Sequence, residues 1–399
     1  MKEGYKKTEL GWIPNEWEIN KLSSISEIIM GQSPDSNSYN DEKIGIPFFQ
    51  GKTEFGRINP IVKKWCSNPI KISQPQDVLI SVRAPVGEVN INIEESCIGR
   101  GLAAIRQKNC DYKFLFYYMQ KIKNRLNLSA QGSTFTAINS GDLKNISIIT
   151  PPLEEQQKIA DILSTVDAQI DDTDNLIEKT KELKKGLMQR LLTKGIGHSE
   201  FKKSEIGEIP VEWHVDNIGS ICNLINGRAF KPKEWMESGI PIIRIQNLNG
   251  SDEYNYYDGE IDEKYMIKNG DLLFSWSGSR GTSFGPHIWC KIDGVLNQHI
   301  FRVDLKEGLD KRFIYYSLKN ITMKIEQEAH GSAGLVHITK GALEKINISL
   351  PIIEEQEKIA NILSSVDNQI EEFEIKKEKL KEVKKGLMQQ LLTGKIRVK

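Results

Sequence analysis

The chain contains an internal repeat, which limits the folds that it can adopt. The segment EEQQKIADILSTVDAQI begins at Glu154, and a close copy, EEQEKIANILSSVDNQI, begins at Glu354. Further pairs precede both copies: YKKTELGWIPNEWEI at Tyr5 matches FKKSEIGEIPVEWHV at Phe201, and DVLIS matches DLLFS. Self-similarity of this kind indicates one structural unit written twice, here a mixed segment of about 150 residues followed by a helix of about forty. The 399 residues therefore predict two tandem copies of that unit.

The mixed segments are predicted to be α+β. Short β-rich runs such as DVLISV, VNINI and NISII alternate with clusters of Gly, Pro, Asn and Ser, a pattern typical of strands and turns. A helical pattern begins near Asp111, and its counterpart begins near Asp310. Pro151 and Pro351 mark the entry into the two long helices. The predicted organisation is a first α/β domain over residues 1–150, a central helix over 151–196, a second α/β domain over 197–350 and a C-terminal helix over 351–399.

The two long helices are predicted to pack against each other. Apolar residues recur along both at spacings of three, four or seven, which predicts one apolar seam on each helix. The predicted seam consists of Ile159, Leu163, Val166, Ile170, Leu187, Leu191, Ile359, Leu363, Val366, Ile370, Leu387 and Leu391. Each helix is acidic in its first half and basic in its second. Antiparallel packing sets acid against base, so we predict an antiparallel coiled coil with the mixed domains at opposite ends; a plain structural spacer is the alternative.

Composition narrows the class of protein. No stretch of eighteen apolar residues is present, so no membrane span is predicted, and the start lacks the apolar segment of a signal peptide, which favours a cytoplasmic location. The five cysteines show no C-x-x-C spacing, so we expect free thiols. Balanced numbers of basic and acidic residues, 54 of each, do not by themselves favour nucleic-acid binding.

The motifs predict no catalytic site. GIPFFQGKT at Gly45 has five residues between its glycines, whereas a Walker motif has four. GRGLAA at Gly99 fits G-x-G-x-x-A, but its repeat counterpart reads NQHIFR and no acidic residue follows in a βαβ frame. The six histidines show no metal-ligand spacing. We therefore expect a protein that is not an enzyme and holds no metal or cofactor of its own.

Two related domains whose loops differ favour a recognition protein with two binding surfaces. The side chains that contact the ligand are expected among the polar and basic residues of the Gly-rich loops. Arg, Gln and His side chains suit base edges, while Ser and Thr reach phosphates. An ordinary role in bracing the loops is the alternative for each residue. The candidates for DNA binding are Arg83, Arg100, Ser133, Thr134, Arg228, Lys231, Arg244, Gln246, Arg280, His330 and Ser332.

The phrase PPLEEQQKIADIL, followed by a long helix that ends KKGLMQRLLT, resembles the specificity subunit of type I restriction-modification systems. Both halves of the chain carry it, over residues 151–193 and 351–393. The resemblance implies two target-recognition domains, each reading one half of a split, asymmetric site in double-stranded DNA. It implies that the helices set the gap between the half-sites and dock the partner subunits. The target-recognition domains vary within the family, so no base-contacting residue is carried over by motif.

The same resemblance implies the partners. They are two modification subunits, which use S-adenosylmethionine to methylate adenine, and restriction subunits that translocate and cleave DNA with ATP. Both cofactors are then expected on the partners and not on this chain.

Two alternatives from other classes stay open at this point. One is a self-sufficient nuclease or methyltransferase fused to its reader, which the absence of motifs argues against. The other is a coiled-coil scaffold that carries two protein-binding modules without DNA specificity.

Overall fold

A computed structural model describes residues 3–131, 137–328 and 335–398. The chain divides into two compact units. Unit 1 comprises Met1–Asn175 and Ile375–Lys399, and unit 2 comprises Leu176–Glu374. Each unit therefore contains one mixed domain together with part of both long helices, so the compact units do not end at the predicted domain boundaries.

Unit 1 is built on two sheets. The first is an antiparallel sheet of four strands, in the order Val89–Ile91, Val78–Ser81, Leu102–Gln107 and Ser26–Met30. The second has five strands, in the order Tyr39–Asn40, Lys64–Cys66, Ile46–Phe49, Ser96–Ile98 and Ile72–Ser73. Two further pairs are the hairpin of Tyr5–Thr8 with Gly11–Pro14 and the pair of Glu18–Lys21 with Ser147–Thr150.

Unit 2 repeats this plan. Its antiparallel sheet has the order Cys222–Asn226, Ile300–Leu305, Leu272–Ser275 and Gly285–Ile288. Its second sheet has the order Asn255–Tyr257, Ile240–Ile243, Gly294–Leu296 and Met266–Ile267. Three two-stranded pairs complete it: Phe201–Ser204 with Gly207–Pro210, His214–Asn217 with Asn347–Leu350, and Ser277–Ser279 with Leu335–His337.

The repeat seen in the sequence is confirmed in the strand pairing. In unit 1 the strand Ile46–Phe49 runs parallel to Ser96–Ile98, and in unit 2 Ile240–Ile243 runs parallel to Gly294–Leu296. All other pairings of the main sheets are antiparallel. A parallel pair inside an otherwise antiparallel sheet is an uncommon arrangement, so its occurrence in both units shows a common topology.

Each domain carries one substantial helix, Tyr112–Gln131 in unit 1 and Lys311–Glu328 in unit 2. An aspartate precedes each one and accepts a hydrogen bond from a first-turn backbone N–H, from Phe114 to Asp111 and from Phe313 to Asp310, both at 2.8 Å. These are N-cap bonds, which explains why the helices start where the sequence predicts. The short helical segments are Leu22–Ile25, Ser36–Ser38, Lys52–Glu54, Ser140–Lys144, Ile218–Ile221, Pro232–Glu234, Ile245–Leu248, Glu263–Tyr265 and Lys340–Glu344.

The central helix, Leu153–Lys194, and the C-terminal helix, Ile353–Leu391, are the two long helices. At 1.5 Å per residue the central helix is roughly 63 Å long. No helix among the described residues is apolar over a length that would cross a bilayer.

Ion pairs confirm that the long helices pack antiparallel. In unit 1, Lys384 pairs with Asp167 at 2.9 Å and Lys377 with Asp174 at 2.5 Å. In unit 2, Lys181 pairs with Glu374 at 3.0 Å, and Lys184 pairs with Asp367. Within each unit, later residues of one helix meet earlier residues of the other, as antiparallel packing requires. Acidic residues in the first half of each long helix thus form ion pairs with basic residues in the second half of the other.

Most residues of the predicted seam are buried. Some of them lie in the main core of a unit, and others are buried outside these cores. Ile159, Leu163 and Leu391 lie in the main core of unit 1, and Ile359, Leu363 and Leu191 lie in that of unit 2. Val166, Ile170, Val366 and Ile370 are buried outside these cores, while Leu187 and Leu387 are half-buried. The ends of the long helices are therefore part of the domain cores.

The repeated segment at the start of each long helix supplies the polar contacts that hold this end of the helix to its domain. Glu155 accepts a hydrogen bond from the Trp17 indole at 2.8 Å, and Glu355 accepts one from Trp213 at 3.0 Å. The next residue, Gln156 or Gln356, accepts a hydrogen bond from the backbone N–H of the aspartate that caps the domain helix. Buried polar groups require such partners, so the identity of these residues in both copies follows from docking.

Candidate nucleic-acid interface

The loops that follow several strands meet at one edge of each domain. In unit 1 the backbone N–H of Gly31 donates to Leu102 at 2.9 Å, that of Gln32 to Ile98 at 3.0 Å, and that of Gly99 to Phe49 at 2.8 Å. Together with the bond from the Val82 N–H to Gly101, these bonds bring together residues 31–33, 50–51, 82–87 and 99–101, which we call the loop edge of unit 1. Loops positioned by a rigid sheet are where proteins commonly carry recognition residues.

Glycine is required where these loops touch. A Cβ on Gly31 would lie 2.2 Å from the carbonyl oxygen of Gly99, and one on Gly227 of unit 2 would lie 2.0 Å from that of Asn297. Carbon and oxygen do not approach so closely without a bond, so only glycine allows the backbones this contact. The glycines of GQS and NGR thus explain why neighbouring polar side chains converge.

In unit 1 the edge is lined by amide, hydroxyl and guanidinium groups. The Ser33 hydroxyl and the Gln50 side chain are hydrogen-bonded at 2.9 Å, and the backbone N–H of Arg100 donates to Ser33 at 3.3 Å. The side chains of Arg83 and Arg100 are exposed. The edge therefore offers two exposed cations beside a hydrogen-bonded pair of groups that both donate and accept hydrogen bonds.

The loop edge of unit 2 has the same backbone frame. Gly227 donates to Ile300 at 3.1 Å, Arg228 to Leu296 at 2.9 Å, and Asn297 to Ile243 at 3.0 Å. It comprises residues 227–231, 244–246, 276–281 and 297–299, with His337 beside them through the pairing of Ser277 with His337.

Two predicted arginines of unit 2 are held by neighbouring side chains. Arg228 lies over the rings of Phe230 and Tyr257, 4.7 and 4.6 Å from their centroids, and forms an ion pair with Glu234. A hydrogen bond from the Lys231 backbone N–H, together with the charge of Arg228, lowers the pKa of Glu234, which keeps this carboxyl ionised. Cation–π contacts and ion pairs orient a guanidinium without removing all five of its donors.

The second held arginine is Arg244. It lies 4.7 Å from the Trp235 ring and donates to Asn255 at 2.7 Å. The Gln246 amide donates to the Glu253 carbonyl at 3.3 Å. Lys231 and Arg280 are exposed. Unit 2 thus combines two pre-oriented cations with two exposed ones.

A cluster of aromatic and imidazole rings in unit 2 was not predicted from the sequence. The Trp276 ring lies 4.7 Å from His299, 5.0 Å from His337 and 5.9 Å from Phe301, and its indole N–H donates to Asn226 at 3.0 Å. We call Trp276, His299 and His337 the ring cluster. A tryptophan inside the Gly- and Ser-rich run SWSGSRG was the available sequence signal.

Hydrogen bonds of the backbone identify equivalent positions in the two edges. Val82 donates to Gly101 at 2.9 Å, as Trp276 donates to His299 at 3.0 Å, and both receive a bond from an isoleucine N–H. The equivalent residues, unit 1 first, are Gln32 and Arg228, Gln50 and Arg244, Val82 and Trp276, Arg83 and Ser277, Arg100 and Gln298, Gly101 and His299, and Ala137 and His337. One frame therefore presents two different sets of side chains.

Four predicted DNA-binding residues, Ser133, Thr134, His330 and Ser332, lie outside the described residues. Gln32, Ser33 and Gln50 were missed by the sequence reasoning, although the run GQS directly after the apolar residues IIM was a usable signal. Across the described ranges no group of three or more His, Cys, Asp or Glu side chains is arranged to hold a metal ion. Donors dominate both edges, which suits base edges and phosphates.

Two domains of one topology, each with one loop edge, are typical of a recognition protein with two binding surfaces. Residues 14–182 and 210–385 match the family model for the type I restriction modification DNA specificity domain. The chain belongs to this family. It is 30% identical over 414 residues to the type I restriction enzyme MjaVIII specificity subunit of Methanocaldococcus jannaschii, an alignment that covers 100% of this chain and 97% of that protein.

Other relatives match in part. The putative type I restriction enzyme MjaX specificity subunit of the same organism is 45% identical over 195 residues, which are 48% of this chain and 46% of that protein. The type I restriction enzyme EcoBI specificity subunit of Escherichia coli is 28% identical over 185 residues, 46% of this chain and 38% of that protein. In these two cases the chain spans about half or less of the relative's length.

Solved structures share the fold. The S subunit of a type I restriction-modification system from M. genitalium aligns with a TM-score of 0.59 at 17% identity, over 94% of this chain and 96% of that one. A chain from a structure on the complex assembly of the type I system aligns with a TM-score of 0.60 at 18% identity, over 96% and 99%. At this level of identity the likeness is one of fold alone.

Proposed function

We propose that this chain is the DNA-reading subunit of a type I restriction-modification complex, and that each unit reads one half of a bipartite, asymmetric site. The observation that carries the proposal is the pair of loop edges, which share a backbone frame but differ in side chains. A shared frame allows both units to meet DNA in the same way, while different side chains select different bases. Two half-sites of unlike sequence are the expected consequence.

The chain itself contributes recognition and not catalysis. Its proposed partners are double-stranded DNA, two modification subunits and the restriction subunits. S-adenosylmethionine would bind to the modification subunits and ATP to the restriction subunits. The named specificity subunits among its relatives support this assignment of roles.

The first test is to co-express the chain with the modification subunit from its own operon and to map methylated adenines across the host genome. The proposal predicts a split motif of two short, unlike half-sites with a constant gap. Absence of new methylation, with both proteins associated in a pull-down, would favour a scaffold without DNA specificity.

A salt titration separates DNA binding from a scaffold by a second route. Phosphate contacts release counterions, so the logarithm of the affinity falls linearly with the logarithm of the salt concentration. We expect a steep slope for the complex with modification subunits on duplex DNA. A flat response would contradict DNA recognition.

The long helices are proposed to set the gap. Seven residues inserted into both helices, at the facing pair Asp174 and Lys377, would keep the ion-pair register and add about 10.5 Å of helix. At 3.4 Å per base pair this corresponds to about three base pairs. The methylated motif should then keep both half-sites and gain about three undefined positions, whereas an unchanged gap would remove the helices from this role.

A further inference from the structure

The ring cluster of unit 2 has no counterpart in unit 1. Where unit 2 has Trp276, His299 and His337, the equivalent positions of unit 1 hold Val82, Gly101 and Ala137. The frame therefore folds without these rings, so their presence in unit 2 is not needed to form the loops. A group that the fold does not require is a candidate for recognition.

His299 has an unfavourable backbone conformation. Its φ is +75°, in the left-handed region that L-residues other than glycine rarely adopt because Cβ crowds the backbone. In unit 1 a Cβ at Gly101 would lie 2.6 Å from the carbonyl oxygen of Gln50. Strained residues of this kind persist where the surroundings hold them, and they cluster at binding sites.

The surroundings of the His299 ring favour one neutral tautomer. Its Nδ1 is buried and has no hydrogen-bond partner among the described residues. A neutral imidazole carries one proton, and a buried N–H without an acceptor is costly. The proton therefore belongs on Nε2, which also has no bonded partner in the described part of the chain. Trp276 packs 4.7 Å from the ring and fixes its plane, so the Nε2–H has a defined direction.

We propose that His299 reads a purine by donating its Nε2–H to the purine N7 atom in the major groove, within the half-site that unit 2 contacts, which we call the second half-site. Trp276 is a positioning residue that holds the imidazole, and Arg228 lies next to it in the frame, since Gln298 donates its backbone N–H to the Arg228 carbonyl at 3.0 Å. N7 is an acceptor on both adenine and guanine, whereas pyrimidines offer no acceptor at that point. This inference rests on the proposed function and names one residue of the reading set.

The first experiment compares methylation motifs of the complex with modification subunits. His299→Gly removes the ring and also relieves the backbone, so the variant should melt no lower than the wild type. We expect one position of the second half-site to accept either orientation of its base pair, while the first half-site and the gap stay unchanged. His214→Ala, which removes an exposed histidine from a strand of the same unit, is the matched control and should leave the whole motif unchanged.

The second experiment removes only the N7 atom. Each purine of the second half-site is replaced in turn by its 7-deaza analogue in a duplex, and binding of the same complex is measured. One substitution should weaken wild-type binding by about 2- to 12-fold, the range for one hydrogen bond, and should have no effect on the His299→Gly complex.

The outcomes separate the inference from the proposed function. A wild-type complex that yields no split motif would refute the proposed function. A split motif that His299→Gly leaves unchanged, with no sensitive N7 atom, would overturn only the reading role of His299. Loss of all methylation by a stable His299→Gly variant would assign His299 to general DNA affinity and would equally overturn base reading.

Discussion

Removing the carboxylate of Asp167 should destabilise unit 1 by about 3 kcal/mol. Its side chain is 1% exposed and accepts hydrogen bonds from Tyr117 at 2.7 Å, Lys384 at 2.9 Å and Arg57 at 2.9 Å. Burial, reinforced by the charge of Asp167, raises the pKa of Tyr117, so the phenol stays protonated and donates. This one residue joins the domain helix to both long helices.

The magnitude follows from what Asp167→Ala leaves behind. Breaking one side of a buried ion pair costs about 3–5 kcal/mol because the partner keeps its charge without compensation. Lys384 has 18% of its side chain exposed, and Arg57 has 35% and keeps a second partner in Asp171. Both cations can regain some water, so the lower end of that range applies.

Asp367 of unit 2 is the matched control. It accepts a hydrogen bond from Tyr316 at 2.8 Å and pairs with Lys184, but its side chain is 35% exposed and no arginine bonds to it within the described ranges. Solvent reduces the value of an ion pair at such a position. Asp367→Ala should therefore cost about 1–2 kcal/mol, less than its counterpart.

Hydrogen exchange measured by mass spectrometry on the full chain tests this difference. Asp167→Ala should lower protection in Tyr112–Gln131 and leave Lys311–Glu328 as in the wild type, and Asp367→Ala should do the reverse with a smaller effect. Equal losses for both variants, or an unaltered Tyr112–Gln131 helix in Asp167→Ala, would refute the reasoning from burial and bond number.

Three further predictions concern other contacts. Arg397→Ala should destabilise unit 1 by about 2–4 kcal/mol, because Arg397 bonds at 2.7 Å to Glu155, whose side chain is only 6% exposed; an unchanged melting temperature would contradict this. Burial lowers the pKa of Lys121 to about 8, below its unfolded value, so wild-type stability should rise between pH 8 and 10.5 as the folded state loses a proton that the unfolded state retains. Lys121→Met should gain about 2 kcal/mol at pH 7, and its advantage in urea denaturation should shrink over that range; a constant difference would argue against a buried charge. Arg100→Ala should alter only the half-site that unit 1 contacts in a methylation map. A change in the other half-site would contradict the assignment of Arg100 to recognition by unit 1.

The architecture was largely accessible from the sequence. The repeat predicted two copies of one α+β unit, and the strand pairing of both domains confirms it. The prediction of long antiparallel helices is also confirmed, because apolar spacing and the polarity of charge along a helix are local properties that a single sequence displays.

The packing of those helices was less accessible. Lys184 lies seven residues after Ile177 and seven before Leu191, at a seam position that is buried, and it pairs there with Asp367. A charged residue at such a position carries no apolar signal, and its neutralising partner is 183 residues away in the chain. Sequence periodicity therefore could not identify this pair, although a polar pair inside a helix seam can fix the register of packing.

The candidate site was predicted only in part. Arginines in Gly-rich loops were visible in the sequence as candidates, and the structure places them at the loop edges, while their role in DNA binding stays a prediction. Trp276, His299 and His337 were missed because they come from three separate segments that meet only through hydrogen bonds between distant strands. His337 pairs with Ser277, which lies 60 residues earlier in the chain, and sequence spacing does not reveal this pairing.

Two copies of one α+β unit and two long helices of fixed polarity could be inferred from the sequence alone, because repeats, periodicity and charge are properties of order along the chain. Which side chains share an edge and which charges are neutralised became clear from the three-dimensional packing. Those relations depend on contacts between residues far apart in sequence, such as Asp167 with Lys384 or Trp276 with His299. In this protein the local pattern specifies the frame, and the long-range packing specifies what the frame presents to a ligand.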